Sequence, residues 1–143
     1  MPLNVQRIEL PEADDRWNMP YVPAIKVTGG ACVYLAGVTA APVYHSHPHI
    51  PGEFDKVPPD ARGQAELAFD NLERVLAAAG ATLADIVQLT QYVVDIRANL
   101  APIASVARSR WPYPPVTTTV EVARVATDPR LVLEVSGVAV LTG

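Results

Sequence analysis

The stretch YHSHPHIP, residues 44–51, holds all three histidines of the chain. His45, His47 and His49 alternate with other residues, and His-x-His is a spacing that metal sites use. In an extended strand, residues two apart lie on one face, so the three rings can converge, and Glu53 can add an oxygen ligand. Two features argue the other way. Pro48 interrupts the run and removes a backbone donor; along a polyproline-like path, with a period near three, the rings fan apart. No further histidine and no nearby cysteine completes the set. The expectation is therefore no metal. That leaves a solvent-facing loop, or a loop that moves protons or carries positive charge, as imidazoles do near neutral pH.

Glu134 stands between Leu133 and Val135 in an apolar stretch. A half-buried carboxylate there is suited to taking or positioning a proton during attack by water. It is equally suited to accepting backbone hydrogen bonds or pairing with an arginine. Tyr21 is a candidate cleft residue or an ordinary half-buried aromatic. Thr117 and Thr119 share a strand face with Glu121, and Thr-rich strands are commonly just good strands. Cys32, beside Val33 in a strand-like run, reads as a buried, inert thiol.

Several elements must position these groups. NVQRIEL (4–10), YVPAIKV and ACVYLAG read as strands, the last two flanking TGG (28–30), a hairpin-type signal. Residues 38–58 form a long loop rich in proline and histidine, and long loops without structure of their own are often functional. From Pro59 a helix is expected, with Ala61, Ala65, Ala68, Leu72, Val75 and Ala79 on one face and Gly80 as its stop. TLAD follows as a capped turn, then IVQLTQYVVDI (86–96) as a strand. A second helix is expected over 99–111, with Asn99 as cap and Pro102 in its first turn. VTTTVEVARV and RLVLEVSGVAVL close the chain as strands. The order β-β-β-α-β-α-β-β makes an α+β domain with helices on one face of a sheet. In the last strand Leu131, Leu133, Val135, Ala139 and Leu141 point one way, and Val132, Val138 and Val140 the other. Two helices cover only one of these apolar faces, so the other calls for partner subunits, a homo-oligomer.

Composition narrows the function classes. The 143 residues, half of them hydrophobic, fit one domain over 1–143 with a real core. A net charge of −4 with no basic cluster argues against nucleic acid as a charge-driven partner. Neither a membrane-length apolar run nor a basic-then-apolar N-terminus is present, so neither a membrane span nor a signal peptide is expected. The single cysteine permits no internal disulfide and fits a cytoplasmic location.

The stretches MPYVPAIKV, AELAFDNLERVLAAAGATLADIVQLTQYVVDI, TTTVEVARV and LEVSGVAV occur in the order seen in the RidA family of reactive-intermediate deaminases. The chain resembles that family over nearly its whole length. The resemblance implies a chorismate-mutase-like α+β fold, a homotrimer with ligand clefts between subunits, and hydrolysis of enamines or imines to ammonia and a ketone. It implies no cofactor and a small-molecule substrate. Carried over singly, the family's tyrosine falls on Tyr21, its glycine on Gly37 of LAGV and its glutamate on Glu134. The family arginine that holds a substrate carboxylate does not carry over: Thr117 stands in its place. A polar position in the second helix falls on Ala104.

One threonine cannot grip a carboxylate as a guanidinium fork does. The resemblance therefore implies weak action on small 2-imino acids and an altered range, such as an aminomuconate-like enamine. Against the family pattern the loop between Gly37 and KVPPD is longer, and the added residues include His45, His47 and His49. These are candidates to fold over the cleft and replace part of the missing cation. The resulting assignment is Glu134 and Tyr21 as catalytic, with Gly37, Thr117, Thr119 and the three histidines binding substrate. The rival is a trimer that binds a small molecule without catalysis.

Overall fold

Two helices lie on one face of a mixed four-stranded sheet, the α+β arrangement expected. The computed structural model describes residues 1–143. In chain order the elements are β1 (Asn4–Ile8), β2 (Ala24–Thr28), β3 (Ala31–Val38), α1 (Ala61–Ala78), β4 (Ile86–Val93), α2 (Ile96–Arg110), β5 (Val116–Glu121) and β6 (Leu133–Leu141). The sheet runs β3-β6-β4-β5, with β4 and β5 parallel and the other neighbours antiparallel. No helix is long and apolar enough to cross a membrane.

Asp60 caps α1, its carboxylate accepting from the Gly63 N–H at 2.8 Å. Ala61, Ala65, Ala68 and Leu72 are buried along the expected face, and Phe69 and Leu76 widen it. Gly80 ends the segment at φ +76°, a left-handed value that favours glycine. The second helix departs from expectation. It starts at Ile96, three residues early, because two acceptors reach its first donors. Asp95 faces the Ala98 N–H at 3.4 Å, and Glu121 of β5 accepts from the Ile96 N–H at 3.0 Å. Asn99 is not the cap; its amide donates to the Val94 carbonyl at 2.6 Å, and Pro102 lies inside the helix. Arg110 then ties α2 to α1 through Glu66 at 2.7 Å and Asp70 at 2.9 Å.

The TGG signal marks a corner and not a hairpin. Gly29 and Gly30 adopt φ of +74° and +75°, but β2 pairs with β1 while β3 pairs with β6. Each strand already has a ladder partner elsewhere. The last expected strands are also shorter: β5 stops at Glu121, and Val122 and Val125 pack into a small second core.

On the helix side of the sheet, Leu133, Val135 and Ala139 are fully buried. The opposite side carries Tyr34, Tyr92, Glu134, Ser136, Val138 and Val120, with no helix over it, and Tyr34 is 79% exposed. Cys32 lies on this side and is exposed within the single chain, contrary to the buried thiol expected. Strand alternation fixes this: Cys32 pairs with Val140, two residues from Val138 on the face away from the helices.

Residues 38–58 are tied down along their length. Buried Asn71 donates to the Thr39 and Ala41 carbonyls, both at 2.9 Å. Gln64, also buried, donates to the Pro58 and Arg130 carbonyls and accepts from the Val132 N–H at 2.8 Å. Phe54, at the end of a 3-10 turn (Pro51–Phe54), is buried with Ala40, Ala41, Val125 and Leu131. Burying one such ring contributes about 1.5–3 kcal/mol. Arg130 reaches across to the Pro51 carbonyl at 2.8 Å and the Asp55 carboxylate at 2.9 Å.

Candidate functional site

Gly37 sits where β3 slips out of register with β6, between Leu35 and Val38. The slip leaves room for the Glu134 side chain, which lies directly against the glycine: a Cβ at position 37 would come within 2.8 Å of Glu134 Oε1. A side chain at position 37 would displace the Glu134 carboxylate, so glycine keeps this close approach. Glu134 is half-buried, and none of the chain's ion pairs involves it. Its carboxylate, Gly37, Thr39, Pro42, His45 and Thr127 line one cavity of about 60 Å³. That volume holds about two waters, far short of the roughly 300 Å³ at which ligand pockets begin. Within one chain the cavity is too small for a ligand larger than water.

His45 reaches the cavity because Asn71 and the Phe54 cluster fix the loop on either side of it. Its Nδ1 lies 2.8 Å from the Pro42 carbonyl. A carbonyl only accepts, so Nδ1 is the donor here, and in the neutral ring Nε2 keeps its lone pair. The three rings do not fan apart. Centroids of His45, His47 and His49 are 4.9, 4.9 and 5.2 Å apart, over Phe54, which His45 meets edge-on at 5.2 Å. The loop folds back through the Glu53 carboxylate, which accepts from the Ser46 N–H at 3.1 Å. Hydrogen bonding from Ser46, aided by the charge of His45 and His47, holds the Glu53 carboxyl below the ordinary carboxylate range. The Arg130 guanidinium does the same for buried Asp128.

The other candidates lie apart from this cavity in the single chain. Glu134 pairs with Tyr92, which pairs with Val120, so Val120 shares its face of the sheet. Thr117 and Thr119 are three and one residues from Val120 and therefore face the helices. From strand spacing and rise, Thr117 lies roughly 14 Å from Glu134. Thr117 Oγ1 donates to the Pro115 carbonyl at 2.9 Å, and Thr119 Oγ1 accepts from the Gln91 amide at 3.0 Å. β5 is a sheet edge, so one flank of its backbone has no strand partner. Tyr21 lines a separate open hollow of about 550 Å³, formed by the single segment 9–23. That hollow is the larger one, but it gathers no group from the sheet or the helices; the small cavity does. Thr127 was not singled out from the sequence, since nothing in TDP marks a residue 90 positions from Gly37 as its neighbour.

Residues 15–141 match the family described as endoribonuclease L-PSP. The chain belongs to that family. Its likeness to the Rid proteins extends to relatives and solved structures. It is 26% identical over 115 residues to TdcF of Escherichia coli K12, named provisionally as a reactive intermediate deaminase, covering 76% of this chain and 88% of that one. It is 30% identical over 105 residues to the protein DfrA of Myxococcus xanthus, covering 73% of each. A Rid-family structure from Yersinia pestis, described as of unknown function, superposes with a TM-score of 0.74 at 26% identity over 96% of this chain and 99% of that one. E. coli TdcF with bound serine superposes at 0.63, with 87% and 90% covered. The family and its relatives support a reactive-intermediate deaminase at this coarse level.

Proposed function

We propose that the protein hydrolyses a reactive enamine or imine, releasing ammonia, in clefts between the subunits of a cytoplasmic homotrimer. The observation that carries this reading is the convergence of Gly37, Glu134 and His45 on one cavity. In the proposed reaction Glu134 orients water and takes its proton as oxygen adds to the carbon of a protonated C=N bond. The resulting carbinolamine expels ammonia and leaves a carbonyl. Backbone groups at Gly37 and Thr119 polarise the substrate, Tyr21 and Thr117 shape the cleft, and the histidine loop assists. Positioned attack of this kind needs no cofactor. Because a single chain supplies only about 60 Å³ beside Glu134, a partner's β5 edge is the natural second wall. The uncovered sheet face around Tyr34 supports the same assembly.

With Thr117 at the arginine position, the preferred substrate is an enamine larger or more anionic than a small 2-imino acid, an aminomuconate-like compound in chemical class. The test is ammonia release from 2-iminopropionate generated in the assay and from an aminomuconate-type enamine. Release above the buffer rate, faster for the second, is expected. Release from neither contradicts the reading and favours a trimer that only binds a small molecule.

A further inference from the structure

We propose that His45, His47 and His49 form a three-nitrogen site for a divalent transition-metal ion of the zinc class. One ligand nitrogen from each ring lies within 4.8 Å of the other two. Around a tetrahedral ion with Zn–N bonds of about 2.0–2.1 Å, such nitrogens stand roughly 3.4 Å apart. Closing the set takes at most about 1.4 Å, a small rotation for side chains of which two are exposed and one half-buried.

The surroundings have the features a metal site needs. The bond from His45 Nδ1 to the Pro42 carbonyl holds the ring and, in its neutral form, leaves Nε2 to bind, as outer partners of metal-bound histidines do. Phe54, only 1% exposed, backs the His45 and His49 rings and keeps water from one side. Glu53, held by Ser46, adds negative charge beside the cluster without entering it. Arg130 pins the Pro51 carbonyl and so the far end of the loop. The three nitrogens are therefore largely preorganised, and imidazole donors select zinc, nickel, cobalt or copper over magnesium or calcium. Protein ligands fill three positions and water completes the shell. Since His45 also lines the Glu134 cavity, the ion sits at the edge of that cavity. The site stands whether or not the deamination reading holds.

Full-length protein treated with a chelator and freed of it is titrated with Co²⁺, read by its visible d–d absorption, with Zn²⁺ as competitor. Saturable uptake of one Co²⁺ per chain, displaced by Zn²⁺, is the expected result. His47→Ala and His49→Ala, both at exposed positions, should each weaken uptake at least about 100-fold, since loss of a ligand exceeds the 10–100-fold cost of losing its outer partner. Circular dichroism of each variant checks the fold. Wild-type protein that takes up no Co²⁺ overturns the site without reference to any variant. Uptake unchanged in both variants overturns it as well.

Discussion

Around Glu134 the chain gathers Gly37, Thr127 and His45 on one cavity, whereas Thr117 and Thr119 use their hydroxyls inside the chain and face the helices. The Glu134 side depends on long-range anchors: Asn71 and Gln64 of α1, the Phe54 cluster and Arg130. The Thr117 side is a sheet edge, with the Arg7 guanidinium donating to the Pro114 carbonyl at 3.2 Å near its start. One region thus gathers polar groups within a single chain; on the proposed reading the other takes part only when a second chain faces it. The difference also bears on substrate range. On the proposed reading Thr117 cannot supply the charge of an arginine, and the candidate cations are Arg7, which donates to the Pro114 carbonyl, and the histidine loop.

The largest expected effect falls on the Glu134 side. Glu134→Gln keeps the shape that packs on Gly37 but removes the base, and should lower the rate of ammonia release by roughly 10²–10⁴-fold. A loss under a few-fold, measured on correctly folded protein, would reduce Glu134 to a packing residue and dissolve the contrast. A smaller effect is expected on the Thr117 edge. Thr117→Arg restores a guanidinium and should improve kcat/KM for 2-iminopropionate roughly tenfold, the difference between a neutral and a charge-assisted hydrogen bond. No gain would mean that the β5 edge does not meet the substrate carboxylate.

Much of the fold was legible because it rests on local patterns. The 4-3-4-3 stepping from Ala61, the stop at Gly80 and the alternation of β6 each have one physical reading, and each element formed, with β6 shorter than expected and Ala79 exposed past the end of α1. The errors arose where a distant residue decides. Glu121 arrives from β5 to satisfy the first donor of α2, which no pattern near Asn99 announces. Gly29 and Gly30 turn the chain as a hairpin would, but the ladder partners are β1 and β6. The histidines show the limit most clearly. Their spacing permits convergence, and Pro48 argues against it; the outcome was set by Phe54, Ser46 and Arg130, which hold the loop's path through contacts up to 79 residues apart. Glu134 and Gly37, named through motif position, line one cavity, and Thr127 beside them carried no local signal.

The most direct test of the two-sided site is a crystal structure of the assembled protein soaked with a small 2-oxo acid, the product class. The account predicts an oligomer with the ligand between Glu134 and His45 of one subunit and the β5 edge at Thr117 of the next. A ligand bound elsewhere, or a monomer with Glu134 open to solvent, would contradict it.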